Sequence, residues 1–212
     1  MLIRVLLFLL TMNCLTLANN LEYQKIGNGK PTLMILAGMH GNERSGIEFL
    51  RNFPNIDIKK GSVVIIPEGN RKAIELEKRT APDKIDLNRS FYEGNDYFET
   101  KRILEIIEKE KPSLILDLHE SKNPNNGTDA VYYLGNSAIY TDSTFDMISS
   151  LLLESDLSLI GSAPKGSLNK YASEVLNIPT ITIETAKTES VNQRKERYLK
   201  FINSSLEFLE MK

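Results

Sequence analysis

The sequence predicts a single α/β domain in which a mixed, mostly parallel sheet carries helices on both faces. Three observations lead there. Short apolar runs alternate with segments of helical period along the chain, the pattern of strands joined through crossover helices. The two histidines of the 212 residues, His40 and His119, each follow such a run directly, in LMILAGMHGNE and LILDLHE. A third run, ITIET, brings Glu184 to the end of its strand. Ligand-type side chains gathered at the carboxyl ends of strands are what an open α/β sheet presents at its binding edge.

The first residues read differently from the rest. Arg4 precedes an apolar stretch, Val5 to Leu10, that continues weakly through Leu17, and the small residues Thr16 and Ala18 come before Asn19-Asn20. This is the layout of a secretory signal over residues 1–18, with the domain proper over 19–212 and export to the periplasm or the exterior as the consequence. A buried first strand or an uncleaved anchor is the alternative. The stretch is too short and too interrupted to span a bilayer comfortably, so no stable membrane insertion is expected once the leader is removed. Cys14, the sole cysteine, lies inside the leader, which leaves no thiol, disulfide or cysteine ligand after cleavage. Thr11-Met12-Asn13 ahead of it does not form a lipoprotein signal.

Beyond the leader, Leu21 to Ile26 and Thr32 to Ala37 flank Gly27-Asn28-Gly29-Lys30, and Asn-Gly between apolar runs predicts a hairpin. GNGK is not a phosphate loop, because the longer glycine spacing and the following Ser or Thr are missing. Ser45 to Asn52 suits a short helix stopped by Pro54, and Ser62 to Ile66 a buried strand ending at Pro67. Asn70 to Lys78 reads as helix and Thr80 to Asn88 as loop. Tyr97 to Lys109 places Phe98, Ile103, Leu104, Ile106 and Ile107 at amphipathic spacing, with Pro112 ending the helix. Leu114 to Leu118 is a strand, and Ser121 to Asp129, rich in Asn, Gly and Pro, reads as a mobile loop bordering a cleft. Ala130 to Leu134, Leu157 to Ser162 and Thr180 to Glu184 read as strands; Thr144 to Leu153, Leu168 to Leu176 and Asn192 to Leu209 read as helices.

A composition of 41% hydrophobic and 25% charged residues fits one ordinary domain with its own core. The formal net charge of -2, with no long run of one sign, gives nucleic acid nothing to bind, and Lys59-Lys60 reads as a solvated surface pair.

His40 and Glu43 stand three residues apart across Gly41-Asn42, so both can face one point; His119 arrives from another strand at its matching end. Two imidazoles and one carboxylate suit one zinc ion and leave a position for water. Asp117, two residues before His119 and on the same side of the strand, is placed to hydrogen-bond a ligand imidazole. Each of these residues has an ordinary alternative when taken alone. A histidine after a strand is commonly a core-edge residue, and a carboxylate at Glu43 suits a helix start. Glu120 could compete as a ligand, but its neighbouring position on the strand points it away from His119. Of Tyr132 and Tyr133, one should point into the core and one outward. Phe201, Leu206, Phe208 and Leu209 form a packing stripe.

HGNE at His40 to Glu43, R-x8-N-R from Arg79 to Arg89 within RTAPDKIDLNRSF, DLHES at Asp117 to Ser121 and PTITIET at Pro179 to Thr185 together resemble the motif series of the zinc carboxypeptidase superfamily. HGNE, PEGNRKA and DLHES are most similar to its succinylglutamate desuccinylase/aspartoacylase branch. The resemblance implies that His40, Glu43 and His119 bind one Zn2+ and that Glu184 acts as general base and then general acid. It implies that Asn88 and Arg89 clamp a substrate carboxylate and that Arg79, or else Arg71, supports the oxyanion. The expected activity is hydrolysis of an amide bond next to a free carboxylate. The substrate is a small molecule, an N-acylated amino acid, or a peptide, cell-wall peptides included. A carboxylate-binding protein without turnover and a purely structural zinc site are the competing readings. After Glu184 the sequence is expected to form one terminal helix, where the enzymes it resembles carry a β-rich C-terminal domain. That difference is expected to bear on the specificity pocket and on access to it, and not on the metal chemistry.

Overall fold

The computed structural model describes residues 21–122, 130–134, 149, 157–160 and 163–212, with the strand backbones alone at 130–134 and 157–160. The leader expected over residues 1–18, Cys14 with it, residues 123–129 and nearly all of the helix expected over 144–153 lie outside the described residues, as do the side chains of Tyr132 and Tyr133. Seven strands form one sheet: β1 (Gln24–Asn28), β2 (Thr32–Ala37), β3 (Gly61–Ile66), β4 (Leu114–Ser121), β5 (Ala130–Leu134), β6 (Leu157–Ile160) and β7 (Thr180–Ala186). Their order is β1-β3-β2-β4-β7-β5-β6. β3, β2, β4 and β7 run parallel to one another, β1 joins β3 antiparallel, and β5 joins β7 antiparallel while pairing β6 in parallel.

Among the described residues the helices are α1 (Arg44–Arg51), α2 (Arg71–Glu75), α3 (Phe98–Glu110), α4 (Leu168–Glu174) and α5 (Val191–Phe208), with a 3-10 turn at Leu87–Arg89. Alternation along the central strands sorts the core into two layers. Leu33, Ile35, Val63, Ile65, Leu116 and Ile183 meet Ile47 and Leu50 of α1 and Tyr198, Phe201 and Leu206 of α5. Met34, Leu36, Val64, Ile66 and Ile115 meet Ile103, Ile106 and Ile107 of α3 and Leu168 and Ala172 of α4. Strands buried on both faces read as unbroken apolar runs, which is why TLMILA and GSVVII show no polar alternation. α5 is started by a capping box between Ser190 and Gln193. Phe201 and Leu206 of its expected stripe are buried, and Phe208 and Leu209 pack against them. Phe98, by contrast, opens α3 on the solvent side at 45% exposure.

The expected β1–β2 hairpin does not form. β3 lies between the two strands, so the Asn28-Gly29 turn carries the chain across it. β2 is buried along its whole length and takes a parallel neighbour on each side, whereas β1 is exposed at Gln24 and Lys25 and fits only at the edge. Among the described residues, no helix is long and apolar enough to cross a membrane.

Candidate metal centre

The site lies where β2, β4 and β7 end. Period two sets its division of labour. Ile115 faces the α3/α4 layer, so Asp117 and His119 face it too, while Leu118 and then Glu120 face the α1/α5 layer. On β7, Ile183 faces α1 and α5 and Glu184 faces the opposite way; Glu184 stands in register with His119 on the adjacent strand. His40 and Glu43 follow β2 in a turn closed by the Glu43 N–H donating to His40 O, and α1 begins directly after. Gly41 is required here for close approach: a Cβ on it would lie 2.0 Å from the Ala73 carbonyl oxygen of α2.

His40, Glu43 and His119 are all buried, and one ligand atom from each lies within 4.8 Å of the others. The two rings meet edge to face at 5.0 Å between centroids. Nδ1 of His40 lies 2.8 Å from Glu43 Oε1, and Nδ1 of His119 lies 2.8 Å from Glu43 Oε2. The opposite nitrogens are engaged by acids: His40 Nε2 with Asp86 Oδ1 at 3.0 Å and His119 Nε2 with Asp117 Oδ2 at 3.0 Å. With a cation bound, a carboxylate accepting from the Nε2–H of each imidazole would leave Nδ1 with its lone pair to face the common point. This donor set, two imidazole nitrogens and a carboxylate without sulfur, fits a single zinc site.

Without a metal, the same carboxylates and imidazoles shift one another. Burial alone would raise the Glu43 carboxyl, but the imidazoles, His119 above all, hold it well below the usual carboxylate range. Burial likewise works to lower His119, and the Asp117 and Glu43 carboxylates outweigh it and raise the imidazole well above its ordinary value. The Glu184 carboxyl is pushed up, chiefly by burial, with His119 pulling the other way and Glu43 reinforcing the rise.

A cavity of roughly 290 Å³ opens beside these groups, lined by His40, Glu43, Arg79, Asn88, Arg89 and Glu184 among others. The sequence-derived residues therefore converge, but not all in the manner expected. Arg79 binds Asp86 through Nε at 3.1 Å and Nη2 at 2.9 Å, and its Nη1 lies 3.7 Å from Glu43 Oε1. Arg71 does not line the cavity; it pairs with Glu68 at 3.2 Å. Asn88 Oδ1 accepts the Leu168 N–H at 3.0 Å, which fixes the amide and sets its NH2 group 3.3 Å from His119 Nε2. Arg89 Nη1 donates to the Asn88 carbonyl at 2.6 Å. Its backbone lies against Gly166, at φ +77°, where a Cβ would come within 2.4 Å of the Arg89 carbonyl oxygen.

Asp86 was not singled out by the sequence reading. It accepts the Asn88 N–H at the start of the 3-10 turn, takes His40 on the same oxygen and Arg79 on the other, so one carboxylate orients three site residues. Its place two residues before Asn88, in DLNR, is the signal that could have found it. Burial works to raise Asp86, and the His40 imidazole and then the Arg79 guanidinium overcome it, holding the carboxyl well below the usual range. Arg194 and Tyr198 of α5 were missed as well. Tyr198 donates to the His119 carbonyl at 2.9 Å, and Arg194 lies 2.8 Å from Glu120.

Comparison with known proteins agrees with this geometry. An uncharacterized protein of Methanocaldococcus jannaschii is 25% identical over 185 residues, 81% of this chain and 85% of that one. The product-bound ectoine utilization protein EutE (DoeB) of Ruegeria pomeroyi superposes with a TM-score of 0.69 at 20% identity, over 90% of this chain and 61% of that one. The tripeptide-bound cell shape determinant Csd4 of Helicobacter pylori gives a TM-score of 0.68 at 15% identity, over 90% of this chain and 56% of that one. At those identities the two structures share the fold with this chain. Residues 29–209 match the succinylglutamate desuccinylase/aspartoacylase catalytic domain, and the chain, with its buried His40-Glu43-His119 site, belongs to that family.

Proposed function

We propose that the chain is a zinc-dependent hydrolase of an amide bond adjacent to a free carboxylate. The observation that carries this reading is the convergence of both Nδ1 atoms on the two oxygens of Glu43, beside a cavity that Glu184 also lines. Zinc, when bound, supplies the Lewis acidity that lets water attack an amide carbonyl near neutral pH. Glu184 takes the proton from that water and returns it to the leaving nitrogen. A carboxyl raised by burial is suited to both transfers, because its affinity for the proton is closer to that of the groups it exchanges with. Arg79, held by Asp86 with one nitrogen turned toward His40 and Glu43, offers positive charge to the carbonyl oxygen as it becomes negative. The Asn88 amide, fixed by Leu168, and the planar Arg89 guanidinium grip the substrate carboxylate.

Two substrate classes fit, N-acylated amino acids and the C-terminal residue of peptides. Family membership favours the first. The second is favoured by the leader, since exported enzymes meet peptides and cell-wall fragments, and by the likeness to the tripeptide-bound Csd4. Export by residues 1–18 is part of the proposal, and a secreted chain beginning at Asn19 is its expected mark. The deciding assay offers the purified, zinc-loaded chain a panel of N-acyl amino acids and a panel of peptides. Turnover of one panel assigns the class; turnover of neither, with zinc bound, sinks the hydrolase reading. Glu184→Gln should lower turnover by about 10²–10⁴-fold while zinc affinity stays as it was. A carboxylate-binding protein without turnover would instead bind its ligand unchanged in that variant.

A further inference from the structure

Glu43 is the N-cap residue of α1, yet its side chain makes no capping bond. An N-cap side chain with a short-armed acceptor oxygen, as in Asp, Asn, Ser or Thr, accepts a backbone N–H of the first helical turn. Here both oxygens of Glu43 face imidazoles instead, and that leaves the helix start without its own carboxylate. Glu120, from the end of β4, takes the place: its Oε1 accepts the backbone N–H and the hydroxyl of Ser45, the second residue of α1. Its Oε2 is held 2.8 Å from Arg194 Nη1, on α5, and the Glu120 side chain is almost fully enclosed. The backbone N–H of the same residue donates to Glu43 Oε2 at 3.1 Å.

We propose that Glu120 is a positioning residue for the metal centre: it caps α1 in place of Glu43 and so releases the Glu43 carboxylate to hold the cation, while Arg194 keeps Glu120 out of the ligand set. Side-chain and main-chain groups of one residue then act on the two ends of one task. The carboxylate satisfies the helix start, and the N–H aims the ligand oxygen. Strand alternation makes this possible, because His119 faces the α3/α4 layer and the next residue must face α1 and α5, where Ser45 and Arg194 lie. Arg194 also neutralises the buried carboxylate, so the centre gains an anchor without a second bare negative charge. Without Glu120, the α1 N–H groups and the cation would compete for Glu43.

This assignment rests on the zinc reading, and the experiment separates the two. Zinc dissociation constants are measured by competition with a chromophoric chelator for the wild-type chain, Glu120→Ala and Glu120→Gln, with thermal unfolding of each metal-free chain recorded alongside. Failure of the wild-type chain to bind zinc would overturn the zinc reading itself. With wild-type binding established, Glu120→Ala should weaken zinc about 10–100-fold, the usual cost of losing an outer-shell partner, and Glu120→Gln by less, since it keeps an acceptor oxygen for Ser45. A purely structural Glu120 would lower the unfolding temperature and leave zinc affinity unchanged. An affinity within about twofold of wild type in either folded variant overturns the assignment; if Glu120→Ala does not fold, Glu120→Gln decides.

Discussion

His119 is carried by a strand with parallel neighbours on both sides, while His40 stands in a turn past the end of β2 and has its outer nitrogen held from the loop before the 3-10 turn. The acid behind His119, Asp117, is fully buried, and its Oδ1 has no hydrogen-bond partner among the described residues. The acid behind His40, Asp86, is 23% exposed and shares itself with Arg79, which is 47% exposed. One half of the centre is thus part of the hydrophobic core and inherits its rigidity. The other half is assembled by polar groups at the rim, where each interaction is partly screened by water. The contrast separates two jobs that a metal hydrolase must combine: fixing the cation and leaving one side able to accept a substrate.

The largest effect is expected at the buried half. Asp117→Ala removes the acid from a fully enclosed imidazole, and breaking such a buried pair costs about 3 kcal/mol or more of folding stability. Zinc affinity should fall at the same time by about 10–100-fold, because the His119 tautomer is no longer fixed. Chemical denaturation of the metal-free variant checks the first expectation. A stability loss under about 1 kcal/mol would mean that this half is not built into the core as the contrast holds.

The next effect is on the response to pH, and its sign follows from the two shifts. His119 is raised well above its ordinary value of 6.5, so it stabilises the folded metal-free chain fully below that pH and loses the contribution as pH rises through the folded value. Glu43 is lowered from 4.5, so its contribution is present above that pH and is lost as pH falls through its depressed folded value. The metal-free chain should therefore gain most from this pair between 4.5 and 6.5, with the gain declining on the alkaline side. Zinc binding must expel the proton that the raised imidazole of His119 holds, so its affinity should rise with pH over the range in which the metal-free pair weakens. Unfolding temperatures and zinc titrations across pH test this together; a zinc affinity indifferent to pH would count against His119 as a ligand.

The same contrast governs what the sequence made legible. Asp117 and His119 were readable as a pair because residues two apart on a strand face the same side, and Glu184 was readable as the end of an apolar strand run. Alternation also placed Glu120 away from His119, and it sits there, against Ser45 and Arg194. What Arg194 and Tyr198 do was not readable, because their contacts join α5 to strand ends 74 or more residues away and helical period reports only that a face is buried. The β1–β2 hairpin failed for a related reason. Asn28-Gly29 is a local signal, but β2 needs two buried neighbours and β1 can serve only as an edge, and that choice belongs to the whole sheet. Spacing alone did not separate Arg79, the first choice from the resemblance, from Arg71; Asp86 holds the first beside the cavity, and the second pairs with Glu68 away from it.

The smallest expected effect lies at the rim, and it sharpens the contrast. Asp86→Asn keeps the shape and an acceptor oxygen for His40 and the Asn88 N–H, but removes the charge that holds Arg79. Because these groups are partly exposed, the loss of folding stability should stay under about 1 kcal/mol. Zinc affinity should fall less than in Asp117→Ala, since His40 keeps a hydrogen-bond partner and only its polarisation is weakened. Turnover should fall further than zinc affinity does, because Arg79 is then free to leave the position from which the proposed mechanism has it meet developing negative charge. If Asp86→Asn instead destabilises the chain as much as Asp117→Ala, the loop carrying it is as much a part of the folded core as β4. The division between a rigid half and an adjustable half would then have to be abandoned.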